Sequence, residues 1–133
     1  MKRLVLLIIV FASIKAYSQQ IKFIEIHSVP MLTETDYDVP CDQNFDITFK
    51  KFLIVKKITD KSILRKIDEF IHAFKRSNDK TIDVRGQIKI FYKNGKSKVI
   101  CFGKFGNFRK DNSYFTSAAF FKFLQTNHYI QEF

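Results

Sequence analysis

Cysteine, proline and glycine are scarce in this sequence, and each scarcity excludes a class of protein. The chain of 133 residues contains two cysteines, two prolines and four glycines. Two cysteines are too few for a disulfide-dense miniprotein or for a four-cysteine zinc site. No repeat, low-complexity tract or linker rich in Pro, Gly or Ser divides the chain. Because a domain usually takes about 100 to 200 residues, the sequence predicts a single domain.

The sequence also lacks the motifs of the common catalytic sites. Its three histidines, His27, His72 and His128, are scattered, and no two have the i, i+4 spacing of a metal-binding helix. There is no G-x-S-x-G motif, no dinucleotide-binding glycine pattern and no P-loop. We therefore expect no catalytic residue, no metal ion and no cofactor, and a protein that is not an enzyme is favoured.

Residues 1–18 have the three parts of a secretory signal peptide. Two basic residues near the start are followed by an almost continuous apolar run over residues 4–14 and by small residues before Gln19. A membrane anchor is the alternative, but a helix needs about 20 apolar residues to cross a bilayer. We expect cleavage between Ser18 and Gln19. The product would be a single secreted domain of residues 19–133, periplasmic or extracellular, with no membrane span.

Export would place the two cysteines in an oxidising compartment, where the cysteines of a small domain usually pair. The sequence therefore predicts a disulfide between Cys41 and Cys101. Two buried free thiols are the alternative.

Charge is distributed unevenly along the chain. The formal net charge is +10, and removal of the three basic residues of the signal lowers it to +7. Residues 31–46 contain five acidic and no basic residues, whereas residues 47–110 contain 18 basic and five acidic ones. This pattern indicates either internal charge compensation or an acidic or polyanionic partner. Nucleic acid is the usual partner of a basic, aromatic sheet, but it is not expected for an exported protein.

The acidic segment has two other interpretations. Four aspartates, Asp36, Asp38, Asp42 and Asp46, lie close enough in sequence to suggest a calcium loop, but the central glycine and terminal glutamate of an EF-hand are absent. The same carboxylates could serve a small secreted hydrolase, which is the alternative to a binding protein. An accessory subunit of a cell-envelope complex is a further alternative.

Apolar periodicity predicts the main elements. Alternation favours strands over residues 21–29 and 45–56, the second with a bulge. Helical spacing predicts an amphipathic helix over residues 60–76 and a C-terminal helix over residues 117–127. The expected fold is α+β, with an antiparallel sheet of four to six strands and both helices packed on one face.

Asn94 and Gly95 lie between two alternating runs, which predicts a hairpin with a two-residue type I′ turn. This turn would place Ile90 opposite Val99 and Ile88 opposite Cys101. It would also place two glycines opposite each other, leaving a gap for another element. The buried face of the hairpin would then carry Ile82, Val84, Ile88, Ile90, Val99, Cys101 and Phe105.

The other face of the predicted hairpin interleaves basic and aromatic side chains and is the candidate binding surface. Its candidate residues are Arg85, Lys89, Phe91, Lys98, Phe102 and Lys104. The cations could contact sulfate, phosphate or carboxylate groups, while the rings could stack on a ligand. A lysine-rich solvated face without a ligand is the alternative. The sequence thus predicts a secreted binding or inhibitor-type module that engages an acidic protein or a polyanion, and it leaves the oligomeric state open.

Overall fold

The structure is a computed structural model, and it describes residues 20–133. The expected signal peptide and its cleavage site between Ser18 and Gln19 lie outside the described residues.

The described chain forms one antiparallel sheet of seven strands and three helices, in the order β2-β1-β4-β5-β6-β7-β3 across the sheet. The strands are β1 (Ile21–Ser28), β2 (Ile54–Ile58), β3 (Lys75–Arg76), β4 (Val84–Tyr92), β5 (Ser97–Gly103), β6 (Asn107–Lys110) and β7 (Ser113–Thr116). The helices are α1 (Phe45–Thr48), α2 (Lys61–His72) and α3 (Ala118–Thr126). The α+β class is confirmed, whereas the expected four to six strands are too few because two-residue β3 adds an edge beside β7.

The strand expected over residues 45–56 is wrong for most of its length. Residues 45–48 form α1, and the strand β2 begins only at Ile54. Phe45 and Phe49 are both buried and their rings lie 5.0 Å apart. Residues four apart share a face in a helix and in a strand alike, so these two phenylalanines are compatible with either structure.

Helix α2 begins and ends inside the predicted range. The Asp60 carboxylate caps it by accepting hydrogen bonds from the amides of Ser62 and Ile63 at 2.9 and 3.2 Å. The helix ends at His72, and the next residues of the predicted range, Lys75 and Arg76, form β3. The predicted amphipathic character of the helix is confirmed. The apolar residues at helical spacing all belong to the main core or pack on it, namely Ile63, Leu64, Ile67, Phe70, Ile71 and Phe74.

Helix α3 is capped by Ser117, whose hydroxyl accepts a hydrogen bond from the amide of Phe120 at 3.2 Å. Phe120, Phe121 and Leu124 of this helix are buried in the same core as the inner residues of α2. The two long helices therefore pack on one face of the sheet, as predicted. We call this the inner face and the opposite side the outer face.

The predicted hairpin of β4 and β5 is confirmed, but its predicted register is wrong by one residue. The loop has three residues, since Tyr92 donates its amide to the carbonyl of Lys96 at 2.9 Å. Within this loop, only Gly95 has a positive φ, of 83°, and its amide donates to the carbonyl of Tyr92. This is a type I turn followed by a left-handed glycine rather than a type I′ turn. Ile90 consequently lies opposite Lys98 and Ile88 opposite Ile100.

A one-residue shift exchanges the two faces of a strand. Ile100 and Phe102 of β5 therefore lie on the inner face and are completely buried. Val99 and Cys101 lie on the outer face instead, where Val99 is 44% exposed. Phe105, which was expected to be buried, is 85% exposed.

A second, smaller core lies on one part of the outer face. Residues 30–53 cross the sheet there, and Val39, Phe45 and Phe49 of this segment are buried against β4 and β5. An irregularity in pairing between Val84 and Gly86 turns Val84 to this side. The buried members of this second core are Val29, Val39, Phe45, Phe49, Val84 and Cys101.

The predicted disulfide joins this segment to the sheet. Cys41 and Cys101 are bonded with a Cα–Cα distance of 5.8 Å, and Cys101 is fully buried. The covalent bond fixes the crossing segment against β5 at the point where the second core is formed.

Candidate binding surface

The part of the outer face beyond the second core is open and carries both aromatic and basic side chains. Cross-strand pairs place Phe23 of β1 beside Phe91 of β4, and Lys57 of β2 beside Glu25 of β1. The next strand adds Val99, which lies opposite Lys89. Four neighbouring strands thus contribute to one surface.

An aromatic pair forms the centre of this surface. The rings of Phe23 and Phe91 are stacked with their centroids 4.5 Å apart. Both side chains are half-buried, and neither belongs to the two hydrophobic cores. The ammonium group of Lys57 lies 4.3 Å from the centroid of the Phe23 ring, within the range of a cation–π contact. The surface therefore offers a half-buried ring pair with an ammonium group beside it.

A charged cluster lies at the border between this surface and the second core. Asp46 of α1 accepts a hydrogen bond from Lys89 at 2.8 Å and lies 2.9 Å from Nδ1 of His27. Nε2 of His27 lies 3.0 Å from a carboxylate oxygen of Glu25. Both ring nitrogens face carboxylates, so both can donate hydrogen bonds when the ring is protonated. No local sequence pattern indicates this cluster, because His27 and Asp46 are brought together only where α1 crosses β1.

The electrostatics of Asp46 indicate a structural ion pair. Partial burial raises the pKa of the Asp46 carboxyl, but the hydrogen bond from Lys89 and the charge of His27 outweigh it. The pKa consequently lies below its ordinary value of 3.8. A general acid needs the opposite shift, towards neutral pH. Among residues 20–133, no group of three His, Cys, Asp or Glu side chains could hold a metal ion.

The structure separates the six residues of the predicted binding surface. Lys89 and Phe91 do lie on the open outer face, next to each other on β4. Phe102 is completely buried on the inner face. Arg85 is only 2% exposed, because its guanidinium donates to the Asp83 carboxylate at 2.6 Å and to the carbonyl of Thr33 at 3.0 Å.

The remaining two predicted residues, Lys98 and Lys104, lie elsewhere. Lys98 is on the inner face and forms an ion pair of 2.9 Å with Asp111. Lys104 follows β5, and its ammonium group lies 5.3 Å from the ring centroid of Phe105. The corrected surface thus adds Phe23 of β1 and Lys57 of β2 to Lys89 and Phe91 of β4, and the hairpin alone could not reveal these two additions.

A groove lies beside the disulfide on the outer face. It has a volume of about 450 Å³ and runs between residues 41–43 and residues 109–112. Its floor includes Gln87, Lys89 and Val99. Basic and acidic residues line it in equal number, Lys89 and Arg109 against Asp42 and Asp111. The groove is therefore electrostatically mixed, unlike the lysine-rich edge at β2.

Strand β2 forms that edge. Its exposed residues Val55, Lys56 and Lys57 follow the exposed Phe52, and residues 47–59 contain four lysines and no acidic residue. In the part of the chain that the structure describes, the ion pairs include neither Lys56 nor Lys57. These two cations remain available to a ligand, whereas Lys89 and Lys98 are engaged by carboxylates of the protein itself.

No helix within residues 20–133 has the length and apolar character needed to span a membrane. The Cys41–Cys101 disulfide fits a protein of the extracellular space or periplasm. No protein-family model, no curated protein and no solved structure matches this chain.

Proposed function

We propose that the protein is a secreted, non-enzymatic binding module that engages an acidic protein or a polyanion through the open outer face of its sheet. The observation that carries this proposal is the stacked Phe23–Phe91 pair with the Lys57 ammonium group beside it. Aromatic rings outside both cores contribute nothing to core packing, whereas rings and cations together suit acidic ligands that also present apolar or planar groups. The net positive charge of the chain would speed the encounter with such a ligand.

The corrected geometry changes the residues assigned to binding. Phe91 and Lys89 remain part of the surface, while Phe23 and Lys57 replace the buried Phe102 and Arg85. Lys89 serves mainly to hold Asp46, so its contribution to a ligand is smaller than that of Lys57.

Binding of two probes, heparin and an acidic polypeptide such as polyglutamate, tests this proposal. We expect Lys57→Gln to weaken binding of either probe about threefold to fivefold at low salt, because one exposed ion pair contributes up to about 1 kcal/mol. Phe91→Ser should weaken binding of the probes more than Lys57→Gln does. The matched control is Lys122→Gln, which removes one exposed charge from α3. Equal affinities for all three variants, or no binding of either probe at low salt, would show that the outer face is not the binding surface.

A second candidate, an accessory subunit of an envelope complex, is favoured by a different observation. Ile47, Phe52 and Val55 lie close in sequence and are 75%, 61% and 49% exposed. Such side chains are candidates for contact with another protein. Purification of the exported protein under mild conditions, followed by Phe52→Ser and Val55→Ser substitutions, tests this role. Loss of a stable co-purifying subunit in the double variant would favour the envelope complex, and a monomer in both forms would exclude it.

A further inference from the structure

Strand β2 adjoins the proposed binding surface and lies at the edge of the sheet. One side of its backbone is therefore free to pair with another strand. β2 pairs with β1 on one side, and no strand of residues 20–133 lies on its other side. An edge strand presents backbone amides and carbonyls that can pair with another strand. Val55 and Lys57 project to the outer face, and Lys56 projects to the inner face.

We propose that β2 binds its partner by strand addition, and that the partner contributes an extended segment with two consecutive acidic residues next to apolar ones. This inference rests on the proposed function and names the partner of that surface. A strand added beside β2 would place one acidic residue opposite Lys56, the next opposite Lys57, and an apolar residue opposite Val55. Strand addition draws affinity from main-chain hydrogen bonds and specificity from such alternating side-chain contacts.

The positive charge of the β2 edge favours an acidic strand over a second copy of this chain as its partner. Lys56 and Lys57 have no ion-pair partner within the described residues, so an acidic strand gains two cross-strand pairs. A second copy of the chain pairing through its own β2 would bring four lysines into one small interface, and like charges opposite each other are destabilising. The lysines therefore disfavour self-association at this edge and favour an acidic partner. The exposed Phe52, just before β2, can extend the apolar contact.

A synthetic peptide tests the strand-addition mode directly. The probe is a blocked Thr-Val-Glu-Glu-Val-Thr peptide, and its control has the same side chains on an N-methylated backbone, which cannot donate main-chain hydrogen bonds. We expect the first peptide to bind and the second to bind at least tenfold more weakly. Within residues 54–58, hydrogen exchange of the amides that point away from β1 should slow at least tenfold in the complex, while the amides of α3 should be unaffected.

Charge reversal at the edge supplies a matched pair of variants. Lys56→Glu with Lys57→Glu should weaken peptide binding about tenfold, because two cross-strand pairs of opposite charge become pairs of like charge. Lys93→Glu with Lys96→Glu changes the net charge equally at the exposed hairpin loop and should have a much smaller effect. An unchanged midpoint of urea denaturation would show that the Lys56→Glu, Lys57→Glu variant is still folded.

The outcomes separate the two proposals. If heparin binds while the N-methylated and unmodified peptides bind equally, the protein binds acidic ligands without strand addition, and only the present inference is overturned. If neither peptide nor heparin binds at low salt, both the proposed function and the strand-addition inference are overturned. Formation of a dimer that the Lys56→Glu, Lys57→Glu substitutions abolish would assign the edge to a second copy of the chain and overturn the acidic-strand proposal.

Discussion

The ring of Phe102 lies directly over Gly86, in the position that a β-carbon on Gly86 would occupy. The two residues are cross-strand partners on the inner face, between β4 and β5. Phe102 is completely buried there, and its ring centroid lies 6.2 Å from that of Phe108 on β6. The two glycines of the hairpin, Gly86 and Gly103, therefore do not face each other as predicted, and the space at Gly86 is filled by a phenylalanine of the neighbouring strand, not by another element.

Gly86→Ala should lower the free energy of unfolding by about 1–3 kcal/mol, because the added methyl group displaces a packed aromatic ring. Urea denaturation measures the change. In a Phe102→Leu background, the same substitution should cost clearly less, since the smaller side chain leaves room. An equal loss in both backgrounds would show that the contact with Phe102 does not explain the requirement for glycine.

Reduction of the Cys41–Cys101 disulfide should destabilise the protein by roughly 4 kcal/mol in the chain-entropy model, for a sequence separation of 60 residues. The urea midpoint in the presence and absence of a thiol reductant measures this effect. The double variant Cys41→Ser, Cys101→Ala should have the lower midpoint with or without reductant. A reductant effect in that variant as large as in the wild type would contradict the assignment.

Arg85→Met should destabilise the fold by about 1–3 kcal/mol, because it removes the ion pair between the buried Arg85 guanidinium and the half-buried Asp83 carboxylate. The same change removes the hydrogen bonds to Thr33 and Thr35, so the segment over residues 31–38 should be cleaved faster by a protease. The control Arg65→Met removes an exposed arginine of α2 and should leave both quantities nearly unchanged. Equal protease sensitivity of the two variants would contradict this role of Arg85.

Asp46→Asn should destabilise the protein by about 1–2 kcal/mol at neutral pH, because Asp46 bonds to both Lys89 and His27 as a carboxylate. Its folded-state pKa is depressed below 3.8, so this stabilisation is present above that pH and is lost as the pH falls through the lower folded-state value. The difference between wild type and variant should therefore disappear in strong acid. Urea midpoints measured at decreasing pH test this, with the exposed Asp36→Asn as control. A difference that persists unchanged in strong acid would rule out the ion pair as its source.

The hairpin shows why the fold could be predicted from the sequence while the site could not. The residues Val99, Ile100, Cys101 and Phe102 are all apolar: Ile100 and Phe102 face the main core, Cys101 faces the second core, and Val99 lies on the open part of the outer face. Both the predicted and the observed register place two apolar side chains of β5 on the inner face. The alternation of apolar residues therefore does not show which of the two registers forms. The loop length decides it, and Asn94-Gly95 is compatible with both a two-residue and a three-residue loop.

The helices were easier to predict because their apolar spacing is unambiguous and their caps are local. Asp60 and Ser117 bond to amides two or three residues further along the chain, and such contacts can be expected from sequence. The outer-face surface, in contrast, depends on the pairing of β1 with β4 and of β2 with β1, across long sequence separations. No local pattern indicates that Phe23 would lie beside Phe91.

The Cys41–Cys101 disulfide has a consequence for the protein after proteolysis. The hairpin loop at residues 93–95 is exposed and lies between the two bonded cysteines in sequence. A single cut in this loop would yield two fragments, one containing β1 to β4 and the other β5 to β7 with α3. The disulfide would still join them, and the unbroken strand pairing of β4 with β5 would hold the cut ends in register. A nicked molecule would therefore stay in one piece and keep its β2 edge, heavier only by the water added at the cut, and reduction would separate the two fragments.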